Sequence, residues 1–336
     1  MRDVRCSRVT GSVAQSRPDL TDAATAASTF RLDIKGAEIR QAFEAACIRT
    51  VLLKGPATGH LLYPVSGSRS YSDVDLLVDP AAVQGAEKIL AARGFRRFDD
   101  ESAVRQTDTG VGRIIGAQGA SHSAAWLRER DSFVVDLHDS LPQVGAPQSI
   151  VWRQLTQHLD LLTVAGVPTE ILDRPASALL VALHAAHHGP DWDSTASDLE
   201  RALEVFNIEC WKAARDLAVE LQAETPMGIG LGLTEAGRRI ARQLSLPTEP
   251  SPAILLLWAG VPWSASVIDS LLGQRDLRAA ATLIARIMWP TPDALRRGSA
   301  LARRSRRWLV VAYVLRPFQL ARRLPAALRT RRQASI

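Results

Sequence analysis

The stretch TVLLKGPATGHLLYPVSGSRSYSDVDLLVD, residues 50–79, contains the pattern that decides the fold. Its apolar run VLLK ends at a Lys54-Gly55 turn, and eighteen residues after Gly55 come two carboxylates, Asp73 and Asp75, with one valine between them. Residues two apart on a strand point to the same face, so the two carboxylates are expected to occupy one small volume. Mg2+ prefers a few carboxylates together with substrate phosphates, and the pair therefore predicts a metal site. A strand end with two solvated acids is the alternative.

The turn that follows the apolar run predicts a phosphate-binding site. Gly55 lets a phosphate approach the backbone, and Pro56 suits the first turn of a new helix, whose free N–H groups favour an anion. Lys54 adds a point charge for the same phosphates. Arg69 and Ser72 lie in the loop before the acidic pair and are further candidates for contacting phosphate oxygens, although solvent-exposed loops are often rich in Arg and Ser.

A third carboxylate lies in the later β-like run SFVVDLHD, residues 132–139. The apolar neighbours of Asp136 predict a buried position, where an unpaired anion is costly and a metal ion would relieve the cost. His138 is two residues further on and is expected to share the same strand face. It is a candidate for contacting the substrate or orienting a ligand, and a buried, hydrogen-bonded histidine is equally compatible with the pattern.

The order of strand, glycine turn, helix, loop and Asp-x-Asp strand resembles the DNA polymerase beta-type nucleotidyltransferase superfamily. The segments LLKGPATGHLLYP, RSYSDVDLLVDP and VVDLHDSL, with the helix ending ARGF, are similar to a bacterial family of uncharacterised nucleotidyltransferases that often accompany biosynthetic gene clusters. ALHAAHHG and DLERAL resemble the helical half of that family, so the likeness covers about residues 35–245. Pro56 is a departure, because most of the superfamily has a second Gly or Ser there.

This resemblance implies Mg-dependent transfer of a nucleoside monophosphate from an NTP, such as ATP, to the hydroxyl of an acceptor, which it does not identify. On this hypothesis Asp73 and Asp75 hold two Mg2+ ions. Asp136 holds the metal that activates the acceptor hydroxyl and also serves as its general base. Lys54 and Gly55 then cradle the phosphates.

Apolar patterning along the chain predicts an α+β fold. Residues 35–170 mix helical and strand patterns, and the resemblance implies that they form a nucleotidyltransferase-type mixed sheet with flanking helices. Residues 175–295 are almost continuously helical in pattern, which predicts an all-helical domain, and an arginine-rich helical tail is predicted at 296–336. Residues 1–30 are polar, lack the apolar core of a secretory signal, and are predicted to be a disordered lead-in.

Shorter signals place the elements of the first part. VLLK and VDLLV read as strands, and Pro80 is expected to open a helix that has Asp79 as its N-cap and stops at Gly94. FRRF, GRIIGAQ and SFVVDLHD are further β-like runs, and the residues from Val164 to Val167 are expected to form a hairpin turn.

Composition favours a cytoplasmic protein with a real core. The chain has 46% apolar residues, and its three cysteines, Cys6, Cys47 and Cys210, show no metal-like or disulfide-like spacing. No uninterrupted apolar stretch approaches the roughly 20 residues of a membrane-spanning helix.

The net charge of +6 is unevenly distributed. Residues 296–332 contain twelve arginines and no acid, so the rest of the chain has 29 basic and 35 acidic residues. A basic segment interleaved with Trp, Tyr, Phe and Leu suits peripheral contact with an anionic membrane. Covering the acidic remainder of the same chain is the simpler interpretation, and binding RNA is a further alternative.

Two other classes of function are compatible with the sequence. A nucleotidyltransferase fold that no longer catalyses would act as a binding or scaffold protein, since fold does not fix function. Nucleic-acid binding through the arginines would weaken steeply with salt, but no nucleic-acid motif is recognisable, and no specific nucleic-acid partner is expected.

The run HAAHH, with His184, His187 and His188, lacks the glutamate of the HExxH metal motif. We expect His184 to pack between the two parts of the chain and the other two histidines to lie near the helix end at Gly189.

Overall fold

The computed structural model describes residues 20–63, 69–97, 123–190 and 193–250, with only the backbone at 20–25 and 193–194. In the C-terminal part it describes residues 254, 255, 258, 288, 289, 292, 295, 301, 302 and 305–318. The helices are α1 (Leu20–Glu44), α2 (Pro56–Leu62), α3 (Val83–Ala92), α4 (Gln148–Leu155), α5 (Arg174–His188), α6 (Asp193–Val205), α7 (Ile208–Glu220), α8 (Glu224–Leu231) and α9 (Glu235–Gln243). The strands are β1 (Thr50–Leu52), β2 (Asp73–Val78), β3 (Arg96–Arg97), β4 (Ser123–Arg128), β5 (Phe133–His138), β6 (Leu159–Val164) and β7 (Val167–Leu172).

The seven strands form one mixed sheet in the order β3-β4-β5-β2-β1-β7-β6. The pairs β2/β5 and β1/β7 are parallel, and the other four pairs are antiparallel. The strands that carry the sequence motifs, β1, β2 and β5, are therefore adjacent at the centre of the sheet. This mixed sheet, with its flanking helices and the helix-rich region after it, confirms the predicted α+β fold.

Each face of the sheet packs against a different set of helices. On one face, Leu76 and Leu137 pack with Phe43 of α1 and Leu90 of α3. On the other face, Leu77 belongs to a cluster that continues through α5 to Trp211 of α7.

Side chains alternate along a strand, so the residues of β2 on the Leu77 side include Asp73 and Asp75. In β5, Val135 and Leu137 face α1 and α3, which leaves Asp136 and His138 on the opposite face. The acidic residues of both strands therefore lie on the sheet face that is turned toward the helical half of the chain.

Two boundaries differ from the sequence prediction. Disorder was expected through residue 30, but α1 begins at Leu20, because the alanine-rich run after it favours helix. Asp79 was expected to be the N-cap of a helix opened by Pro80. Instead, Asp79 Oδ1 accepts a hydrogen bond from the backbone N–H of Ala81 within a turn, and α3 begins only at Val83.

The hairpin prediction is confirmed. β6 and β7 pair antiparallel around Ala165 and Gly166, whose φ angles of 51° and 79° are those of a two-residue hairpin turn. FRRF contains β3, and SFVVDLHD contains β5. Residues 1–19 of the predicted lead-in and the run GRIIGAQ lie outside the described residues.

The predicted division of the chain near residues 165–175 stays a prediction. The largest hydrophobic cluster crosses this boundary, since it joins β1 and β2 to α5, α7 and α8. Among the described residues, no helix has both the length and the apolar character needed to cross a membrane.

Candidate active site

The parallel pairing of β2 with β5 brings together two of the predicted acids. Asp75 and Asp136 are direct partners in the register, and Leu77 pairs with His138. These strands are separated by more than fifty residues of sequence, so only the sheet topology places Asp75 beside Asp136.

The resulting cluster is compact and largely buried. Lys54 Nζ lies 2.8 Å from Asp75 Oδ1, and His138 Nε2 lies 3.0 Å from the same oxygen and 3.4 Å from Asp136 Oδ2. The side chains of Asp75 and His138 are only 4% and 3% exposed. Among the described residues, Asp75, Asp136 and His138 form a group whose potential ligand atoms all lie within 4.8 Å of one another.

Two cationic side chains balance these acids. Burial alone would raise the pKa of Asp75, but the Lys54 ammonium and His138 lower it below its usual value. Burial would likewise lower the pKa of His138, yet Asp136 and Asp75 raise it to about 9, so the imidazole is protonated at neutral pH. Lys54 and His138 therefore supply the positive charge that the carboxylates need.

The charge balance is incomplete at two points, both of which suit a divalent cation. Asp136 Oδ1 is buried and has no hydrogen-bond partner. Asp73 makes no hydrogen bond or ion pair among the described residues, and burial together with the negative charge of Asp75 raises its pKa to about 7. Oxygen atoms in this condition are the ligands that hard cations prefer, so the residues present fit a magnesium site.

The predicted phosphate turn has the conformation that its sequence requires. Gly55 has φ of 63°, and Pro56 is the first residue of α2. A Cβ at Gly55 would lie 3.3 Å from the Tyr71 ring, so a side chain would be both strained and crowded. Lys54 is mostly buried beside Asp75 and does not extend into solvent.

Arg69 is fixed by a contact that the sequence did not reveal. Its Nε and Nη2 donate to both oxygens of Asp198 on α6, at 2.7 to 3.2 Å, and the Tyr63 hydroxyl donates to Asp198 Oδ1 at 2.8 Å. Asp198 is 4% exposed and links the end of α2 and the loop before the Asp-x-Asp strand to α6. The third guanidinium nitrogen, Nη1, is buried without a partner.

Sequence reasoning missed Asp198 and Tyr63, and DLERAL on α6 was noted only as a likeness. Ser72 is exposed, directly before Asp73. The predicted roles of Arg69 and Ser72 toward phosphate therefore stay predictions.

A cavity of about 460 Å³ opens beside this contact. Its lining is polar and comes from both halves of the chain: Tyr63, Arg69, Ser70, Ser197, Asp198, Glu200, Arg201 and Glu204. Arg201 covers the Tyr63 ring at 4.3 Å. The cavity therefore suits a small, polar molecule better than an apolar one.

The three histidines of α5 lie close enough to the cluster to experience its charges. Burial and, to a smaller extent, the Lys54 ammonium lower the pKa of His187 to about 4, although Asp136 opposes the change. Trp258 lies at the C-terminal end of α5, where its indole N–H donates to the Ala186 carbonyl oxygen at 2.8 Å.

Comparison with known proteins agrees with this arrangement. The model of the uncharacterised nucleotidyltransferase family matches residues 16–236, about two thirds of the chain. The chain belongs to this family. Nucleotidyltransferases generally use a divalent metal and an NTP, and among the described residues Asp75, Asp136 and His138 form a group that could hold a metal ion.

Among solved structures, the structure of this nucleotidyltransferase is similar to that of the antibiotic-resistance factor ANT(2'')-Ia, which is described as showing substrate-regulated conformation dynamics. The identity is 15% and the TM-score is 0.38, with 58% of this chain and 93% of that chain covered. No curated protein matches the sequence.

Proposed function

We propose that this nucleotidyltransferase uses Mg2+ to transfer a nucleoside monophosphate from an NTP to a hydroxyl group of an acceptor. The observation that carries the proposal is the buried cluster on β2 and β5, in which Asp75 and Asp136 are in register and Asp136 Oδ1 has no partner. A buried carboxylate oxygen of this kind is costly in the metal-free protein and useful in the metal-bound one.

We assign Asp73 and Asp75 to hold two Mg2+ ions and Asp136 to hold the ion nearest the acceptor. When bound, Mg2+ neutralises the triphosphate and lowers the pKa of the attacking hydroxyl. Lys54 is within reach of Asp75 and exchanges this partner for the phosphates. His138, between Asp75 and Asp136, holds the two carboxylates in position.

The chemical step forms one bond and breaks one. The acceptor oxygen bonds to the α-phosphorus of the NTP, the bond from that phosphorus to the bridging oxygen breaks, and pyrophosphate leaves. Asp136 accepts the proton of the acceptor hydroxyl. We assign the backbone at Gly55 and the side chains of Arg69 and Ser72 to contact the phosphates.

The polar cavity between the two halves is the proposed acceptor site. It is lined by Arg69 and Ser70, which lie in the loop that leads into the Asp-x-Asp strand. This assignment makes residues 35–170 the nucleotidyltransferase domain and residues 175–295 the helical domain that completes the acceptor site. Free Cys47 and Cys210 support a reducing, cytoplasmic setting.

Calorimetric titration with each NTP, with and without Mg2+, tests the proposal. We expect the wild type to bind at least one NTP only when Mg2+ is present, and the Asp73→Asn/Asp75→Asn variant to lose this binding. Asp160→Asn on β6 is the matched control, since it removes an exposed carboxylate of the same sheet. If the folded wild type binds no NTP, or if the double variant binds as the wild type does, the proposal is wrong and a scaffold role takes its place.

A further inference from the structure

The C-terminal part of the described chain contains a helix at residues 306–318 that is apolar on two opposite faces. One face is buried: Leu309 and Ala312 pack against Leu295 and Ala302 in a small cluster separate from the main core. This packing anchors the helix to the chain and leaves its other face outward.

The outward face is made of large apolar side chains. Successive helical residues are about 100° apart, so positions 308, 311, 315 and 318 follow one line along the helix, with 310 and 314 beside it. These six residues span roughly 160° of the helix surface. Their exposed fractions are Trp308 43%, Val310 60%, Val311 36%, Val314 61%, Leu315 40% and Phe318 68%. A helix that is apolar on both sides requires a second apolar environment.

The charged residues of helix 306–318 are all arginines. Arg306 and Arg307 are exposed at the start of the helix, and residues 296–332 contain twelve arginines and no acid. The rest of the chain carries the opposite balance, 29 basic and 35 acidic residues. An anionic surface therefore attracts this segment and repels the body, which directs the apolar face toward that surface.

These charges discriminate among the possible occupants of the face. A second copy of the chain would bring two sets of arginines together, so like charges oppose self-association there. Nucleic acid would supply negative charge but no apolar surface for six exposed aliphatic and aromatic side chains. An anionic lipid bilayer supplies both an apolar interior and negative headgroups.

We infer that helix 306–318 lies in the plane of an anionic membrane surface, with Trp308, Val311, Leu315 and Phe318 inserted between the lipids and the arginines at headgroup level. The helix contacts the bilayer through its outward face only and does not cross it. This inference does not depend on nucleotidyl transfer, because none of its residues belongs to the proposed active site.

Flotation with lipid vesicles tests the inference on the full-length chain. We expect the wild type to float with vesicles that contain phosphatidylglycerol and phosphatidylcholine, and to remain unbound with phosphatidylcholine alone. The variant Trp308→Ser/Val311→Ser/Leu315→Ser/Phe318→Ser is expected to lose at least tenfold in partitioning. Arg306→Gln/Arg307→Gln is expected to lower vesicle partitioning about fivefold for each arginine removed, because each arginine loses its attraction to the anionic headgroups. The loss should be smaller at high salt, which screens this attraction.

Leu161→Ser is the matched control, because Leu161 is a 74% exposed leucine on β6, in another part of the chain. It is expected to float as the wild type does, and all variants should keep the wild-type thermal transition, since the replaced side chains are exposed. Equal flotation of the wild type and the quadruple variant, or of anionic and neutral vesicles, overturns the inference. Self-association without vesicles that the quadruple variant abolishes also overturns it, and assigns the face to a second copy.

Discussion

Asp73 is the acid in this site that the protein itself does least to stabilise. Asp75 has Lys54 and His138 as partners, whereas Asp73 has neither a hydrogen bond nor an ion pair among the described residues. Its carboxylate is held close to Asp75 with a raised pKa, which costs free energy in the metal-free state. The proposed metal ion would account for this residue, whereas its contacts among the described residues do not.

The first prediction concerns this cost. Asp73→Asn should raise the free energy of unfolding of the metal-free protein by about 1 kcal/mol, because it removes a partly buried charge that has a like-charged neighbour. Urea unfolding in EDTA measures the change. The control Asp160→Asn, exposed on β6, should leave the unfolding free energy within about 0.5 kcal/mol of the wild type. A destabilised Asp73→Asn variant would show that Asp73 has a structural role.

The second prediction concerns the Arg69–Asp198 pair. Arg69→Lys keeps the positive charge but loses the bidentate contact with Asp198, and Asp198→Asn weakens the same contact by removing the negative charge. Each variant should therefore reduce Mg-NTP affinity about tenfold. Calorimetry measures both. Arg49→Lys is the control, since Arg49 makes a similar bidentate contact with Glu170 at the surface. Unchanged affinity in Asp198→Asn would mean that Arg69 is held for stability alone.

At the scale of elements, the turn into α2 depends on a glycine that no other residue can replace without strain. Gly55 and Gly59 are four residues apart, yet only Gly55 has a positive φ and a neighbour within 4 Å of a built Cβ. The two glycines therefore provide a matched pair, one in the turn and one in the following helix.

The third prediction uses this pair. Gly55→Ala should destabilise the protein by about 1–3 kcal/mol and weaken NTP binding, because it strains the turn next to Lys54. Gly59→Ala lies inside α2 with no atom within 4 Å, and should stabilise the protein by about 0.5–1 kcal/mol. Chemical denaturation measures both changes. A Gly55→Ala variant that is as stable as the wild type would contradict the strain argument.

Local patterns predicted the elements that depend on neighbouring residues. The alternation that places Asp73 and Asp75 together, the glycine turn and the β6–β7 hairpin all follow from spacing over a few residues. The position of His138 beside Asp75 depends instead on the parallel register of β2 and β5. The Arg69–Asp198 contact joins residues 129 apart in sequence, and no periodic pattern encodes a pair at that distance.

For the whole molecule, the shared core links the two proposed domains. One hydrophobic cluster contains Val51 and Leu77 from the sheet together with Leu183, Trp211 and residues of α8. Separating the halves would expose this cluster to water on both sides.

The fourth prediction follows from this core. Thermal unfolding of the sheet and the helices packed on it should show a single calorimetric transition. Neither half can unfold without exposing the hydrophobic cluster that it shares with the other half. Mg2+ and a bound NTP should raise the temperature of that transition, by an amount that grows with ligand concentration. Two well-separated transitions would contradict the shared core and favour independent domains at the predicted boundary.

The strand order also affects synthesis of the chain on the ribosome. β1 is made early, but one of its two neighbours, β7, pairs through Leu52 and Ile171 and emerges more than a hundred residues later. Until then, the edge of β1 that later pairs with β7 has unpaired backbone groups beside the apolar residues Val51 and Leu52. Unpaired apolar edges of this kind can aggregate. We therefore expect a growing chain to gain from protection of β1 until Leu172 has left the exit tunnel, and chaperone binding to nascent chains of increasing length should fall at that point.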